Sequence, residues 1–128
     1  MNDKKDTTKQ LYIRMVNKTE DYIEQHLSDS ITLCELAKHV HLSEFHFHRI
    51  FKEHSSETIK EFVTRTKLER AAIFLCMTSS LSLTEIALNY GYNDSSSFSR
   101  AFKKHFGVSP SIYRKQQEMA RVIDSNME

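Results

Sequence analysis

Two arginines, Arg49 and Arg100, are each followed three residues later by a lysine, Lys52 and Lys103. A guanidinium is a rigid fork that matches guanine O6 and N7, a contact worth roughly 1–3 kcal/mol of base discrimination. A lysine is a point charge suited to phosphate. Around the first pair stand Glu44, Phe45 and His48; around the second stand Ser95, Ser96 and Ser99. Each has a base-edge role and an alternative. Arg49 forks onto guanine, contacts phosphate, or pairs with Glu53. Phe45 meets a thymine methyl or staples the helix to its neighbour. Glu44 accepts from cytosine N4 or sits on the helix dipole. His48 donates to a base or a phosphate. The serines are short and unselective, so Ser95, Ser96 and Ser99 give a helix that mainly anchors the backbone, with one longer contact from Arg100. Lys52, Lys67, Lys103, Lys104 and Arg114 are the phosphate candidates, and plain solubility is their alternative.

Other chemistries find less support. There is no glycine-rich phosphate loop, no nucleophile elbow and no paired acids on a shared face, so no enzyme is expected. His39, His41, His46 and His48 cluster in sequence with Cys34 nearby. Spacings of two turn side chains to different helix faces, and no Cys-x-x-Cys or His-x-x-x-His pair exists. No metal and no cofactor are expected. A small-ligand pocket is not expected either, because every apolar face is needed for a core.

The elements that must position these residues repeat within the chain. Ser82 and Glu85 have capping-box spacing before a helix starting at Leu83. Leu83, Ile86, Ala87 and Tyr90 share one face, and Gly91 follows as a stop that takes φ > 0 cheaply. Asn93 and Asp94 can cap a second helix that buries Phe98, Ala101, Phe102 and His105. Gly107 and Pro110 end it. Upstream, Thr32 and Glu35 form another capping box, and Leu33, Leu36, Ala37 and Val40 repeat the first face. Ser43 caps a helix with Phe47, Ile50, Phe51 and His54 inside. Phe62 takes the place of Tyr113. This is an internal repeat of a helix, a tight turn and a helix. His41 replaces Gly91, so a different turn conformation is expected there. Between the copies, Thr58 to Thr78 reads as one helix about 30 Å long. One turn of B-DNA is about 34 Å, so such a linker could set two reading helices in successive major grooves.

Composition agrees with an all-α chain. The 128 residues contain two glycines and one proline, and net charge is +1. The charge is uneven: residues 1–64 hold nine Lys and Arg against eleven Asp and Glu, and residues 65–128 hold nine against six. From Ser95 to Gln117 there is no acid at all, so a basic patch hides under a neutral total. Cys34 and Cys76 fall on apolar faces and are expected to be buried thiols in a reducing compartment. The polar start and the absence of a long apolar run point to a cytoplasmic protein without a membrane span. The expected organisation is a disordered lead over 1–8, a first helix-turn-helix subdomain over 9–57, a linker helix over 58–78, a second subdomain over 79–117 and a tail over 118–128. The first helix is expected from about Lys9 to Leu27.

These residues resemble the AraC/XylS family of bacterial transcription regulators. The match runs through Ile86-Ala87, Gly91-Tyr92, Phe98-Ser99-Arg100, Phe102-Lys103-Lys104, Phe106-Gly107, Ser109-Pro110 and Tyr113-Arg114. Lys67-Leu68 with Ala71 and Ala72 is similar to the family's linker helix. The length resembles the small stand-alone members of the MarA and SoxS type. The resemblance implies two homeodomain-like helix-turn-helix units joined by a long helix, binding double-stranded promoter DNA as a monomer. It also implies an activator that touches RNA polymerase. The alternative is a protein-interaction or metal-responsive module on the same fold.

Overall fold

The computed structural model describes residues 3–78 and 80–127. Its elements are α1 (Asp3–Gln25), α2 (Leu33–His39), α3 (Glu44–Ser55), α4 (Ile59–Met77), α5 (Leu83–Asn89), α6 (Ser95–Phe106) and α7 (Pro110–Met127), with no strand among the described residues. The expected all-α class holds. The chain divides into two compact units, residues 1–64 and 65–128. The division falls inside α4, so the linker helix is shared between the two units. Its Ile59 and Phe62 are buried in the first half, and Leu68, Ala71, Ala72 and Leu75 in the second.

Side-chain oxygens set the starts of the short helices. Thr32 accepts from the Glu35 N–H at 3.2 Å, Ser43 from His46 at 3.2 Å, Ser82 from Glu85 at 3.1 Å and Asp94 from Ser97 at 2.7 Å. Each satisfies an amide that the helix itself leaves without a partner. The turns that follow α2 and α5 are closed alike. The His41 N–H donates to Lys38 O at 3.1 Å and Leu42 N–H to Ala37 O at 3.0 Å; Gly91 N–H donates to Leu88 O at 3.1 Å and Tyr92 N–H to Ala87 O at 3.0 Å. Both turn residues are left-handed, His41 at φ 59° and Gly91 at φ 81°. The different conformation expected at His41 is therefore absent. The two closing hydrogen bonds and the burial of Ala37 hold the histidine where glycine would sit more cheaply.

The cores repeat as well. Phe47, Ile50 and Phe51 are buried in the first unit, Phe98 and Phe102 in the second. The Phe51 ring meets Phe62 edge-on at 5.8 Å, and Phe102 meets Tyr113 edge-on at 5.3 Å.

Several expectations are corrected. α1 starts at Asp3, inside the stretch read as a disordered lead, because no glycine or proline interrupts the helical residues after it; Met1 and Asn2 lie outside the described residues. Cys34 is exposed and Cys76 half-buried, since a helix as short as α2 turns only Leu36 and Ala37 fully inward. His105 is exposed while Phe106 turns half inward. Pro110 opens α7 at its first position, where its missing N–H costs nothing. α7 runs on to Met127 as one helix, and the boundaries expected at Ser79 and Glu128 fall outside the described residues.

Candidate nucleic-acid interface

The burial of Phe47, Ile50 and Phe51 fixes the rotation of α3. Glu44, Phe45, His48, Arg49 and Lys52 then fall within one outward arc, by the 3.6-residue period. Phe45 is 79% exposed, so the staple alternative does not apply to it. Arg49 makes no ion pair with Glu53 or with any other of the described residues, which leaves its five donors free. His48 is half-buried, and Glu44, Arg49 and Lys52 are exposed.

The burial of Phe98 and Phe102 does the same for α6. Ser95, Ser96, Ser99, Arg100 and Lys103 occupy the arc equivalent to that on α3, and Lys104 lies at its edge. Ser96, Arg100, Lys103 and Lys104 are exposed, while Ser95 and Ser99 are half-buried. Arg100 Nη2 donates to Ser97 Oγ at 3.4 Å, a long bond that tethers the guanidinium loosely. The Ser97 backbone N–H holds the Asp94 carboxyl below its usual range, and the Arg100 charge adds to this. Sequence reasoning missed Ser97 as a partner, although its place three residues before Arg100 was available as a signal.

The remaining phosphate candidates separate. Lys67 is half-buried on α4, and burial lowers its ammonium pKa below the ordinary lysine value. Arg114 is committed elsewhere. Its Nε donates to Leu75 O at 2.9 Å and its Nη2 to Thr78 O at 3.4 Å and Leu81 O at 3.3 Å. The guanidinium closes the C-terminal end of α4 onto the turn that leads to α5, so the half-buried Arg114 braces the second unit from within.

The two arcs differ in charge. The α3 arc mixes Glu44 with Arg49 and Lys52; the α6 arc has no acid and carries Arg100 and Lys103. The histidines do not converge: His46 faces Tyr12 at 6.3 Å and His39 faces Tyr22 at 5.6 Å. No metal-holding group of three His, Cys, Asp or Glu forms among the described residues. No described helix is long and apolar enough to cross a membrane.

A family of helix-turn-helix domains matches residues 36–116. The chain is 34% identical over 101 residues to the Msm operon regulatory protein of Streptococcus mutans, covering 79% of this chain and 36% of that protein. It is 31% identical over 97 residues to the transcriptional regulator Rob of Salmonella typhimurium, covering 76% of this chain and 33% of that one. The chain thus spans about a third of the length of the curated relatives it matches. Among solved structures, the C-terminal domain of AraT, a response regulator from Geobacillus stearothermophilus, superposes with a TM-score of 0.75 at 34% identity, over 80% of this chain and 84% of that one.

Proposed function

The chain belongs to the AraC-type helix-turn-helix family of DNA-binding transcription regulators, and we propose that it reads promoter DNA sequence-specifically with both units at once. One chain suffices, with α3 and α6 in successive major grooves. Arg49 forks onto a guanine, Phe45 packs on a thymine methyl, and Glu44 and His48 complete the first reading set. Arg100 contributes a single guanine contact from the second helix, where Ser95, Ser96 and Ser99 let the backbone approach closely. Lys52, Lys67, Lys103 and Lys104 neutralise phosphates. Lys67 fits this role because a half-buried ammonium gains most from a nearby anion.

The observation that carries this reading is the repeated outward placement of an arginine and a lysine. Arg49 with Lys52 and Arg100 with Lys103 stand at the same positions of two helices held by matching turns. Operon regulation by relatives such as the Msm protein supports a promoter target. The family resemblance supports an activating role, contact with RNA polymerase and action as a monomer, and a cytoplasmic setting belongs to the same reading. The test is a fluorescence-anisotropy titration of a selected duplex and a scrambled one at several salt concentrations. The selected duplex should bind more tightly, with a log–log salt slope of roughly −0.9 per phosphate contacted. Equal affinity for both duplexes would overturn sequence-specific reading.

A further inference from the structure

α2 has only seven residues, and on the side of α1 that faces it Leu11 stays exposed and Met15 and Tyr22 stay half-buried. Between them lies an open groove of about 700 Å³ within the first unit, inside the range of roughly 300–1,000 Å³ typical of small-molecule sites. Sequence reasoning left no room for such a groove, because periodicity shows which faces are apolar but not how much of each is covered. Met15, Leu36 and Val40 line it with apolar surface. Tyr22 forms an aromatic wall, its ring stacked on His26 at 4.0 Å.

The polar edge is what selects an occupant. Arg14 and Lys18 lie one helical turn apart in the lining, and both are exposed. Neither has a hydrogen bond or ion pair among the described residues. Asp21 is the acid of the lining, a turn beyond Lys18. Two unpaired cations over an apolar floor complement a molecule with one anionic head and an apolar body. The guanidinium supplies a bidentate seat for a carboxylate or sulfonate, and the body gains by leaving water. We propose that this groove binds a small amphipathic organic anion, its head between Arg14 and Lys18 and its body along Met15, Leu36 and Val40. Because Leu36 and Val40 belong to α2 and its C-terminal cap, the occupant touches the helix that precedes the reading helix. The groove is separate from the outward arc of α3, so its occupancy can be read without DNA.

The experiment is a two-dimensional amide NMR titration of the full chain with decanoate, and in parallel with decyltrimethylammonium, which keeps the tail and reverses the head. Decanoate should give saturable shifts at Met15, Lys18, Tyr22, Leu36 and Val40 below its micelle range; the ammonium compound should not. The double variant Arg14→Glu with Lys18→Glu should weaken decanoate roughly tenfold or more, while circular dichroism shows the fold unchanged. Asp21→Asn should tighten it. Unsaturable shifts, shifts mapping elsewhere, or equal response to both head groups would overturn the proposal, and none of these outcomes bears on DNA binding.

Discussion

In the first unit the chain turns from α2 to α3 through a histidine at φ 59°; in the second it turns from α5 to α6 through a glycine at φ 81°. The same pattern recurs at the ends of α3 and α6, where Ser56 at φ 66° corresponds to Gly107 at φ 83°. Both of these cap residues donate their N–H back one turn, Ser56 to Lys52 O at 2.9 Å and Gly107 to Lys103 O at 2.8 Å. Among the described residues, the second unit thus carries glycine where the backbone is left-handed, and the first carries side chains there. The outer faces differ in the opposite sense. The first displays Glu44, Phe45 and His48 where the second displays three serines. One scaffold therefore carries two different outer faces: a varied one on the unit whose left-handed positions hold side chains, and a plain, basic one on the unit that holds glycine there.

The clamps also differ. Glu61 and Thr58 exchange hydrogen bonds across the start of α4, the Thr58 N–H donating to Glu61 Oε1 at 3.1 Å and the Glu61 N–H to Thr58 Oγ1 at 3.1 Å. At the start of α7 only Ser109 accepts, from Ile112 N–H at 3.3 Å, because an isoleucine stands in place of the glutamate. The second unit has Arg114 on three carbonyls instead, where the repeat places Val63 in the first.

The largest effect that would sharpen this comparison is on Arg114. Arg114→Ala leaves three carbonyls without their charged donor and should cost about 2–3 kcal/mol. Native-state hydrogen exchange should show the loss in α5 and α6 while the amides of α2 and α3 keep their protection. Next comes DNA reading. Arg49→Ala should lose roughly 1–3 kcal/mol on the preferred duplex and flatten preference at one base. Replacing Ser95, Ser96 and Ser99 together by alanine should change affinity by less than about 0.5 kcal/mol. A larger loss from the serines than from Arg49, measured by anisotropy, would break the division of labour. Third are the turns. Gly91→Ala should destabilise by about 1 kcal/mol or more, and His41→Gly should stabilise by about 1 kcal/mol, by denaturant midpoint.

The smallest effect is on pH dependence. The Thr58 N–H holds the Glu61 carboxyl below the usual carboxylate range. A depressed folded-state pKa means a contribution present above the unfolded value and lost as pH falls through the folded one. Glu61→Gln should therefore flatten the decline of stability below about pH 4.5. Substituting Ile112, which titrates nothing, should leave that slope unchanged.

Local signals made most of the scaffold legible. Thr32, Ser43, Ser82 and Asp94 cap the helices expected of them, and the paired alanines Ala37 and Ala87 are buried at both crossings. What escaped was non-local or too short to show a period. Arg114 acts across more than thirty residues of sequence, beyond the reach of any helical spacing. Cys34 sits on a helix of two turns, too few for a stripe to identify its inner positions. The left-handed His41 follows from closing hydrogen bonds that outweigh a residue's own preference. The outward arcs of α3 and α6 were legible from the helical period, but the tether from Ser97 to Arg100 was not.

The most direct test of the unequal units is selection of binding sites from a random duplex library. The expected motif is one strong block of several bases read by α3. About one helical turn away there should be a weak second block dominated by a single guanine opposite Arg100. Two blocks of equal information would contradict the division between a reading unit and an anchoring unit, and no enriched motif at all would contradict sequence-specific DNA binding itself.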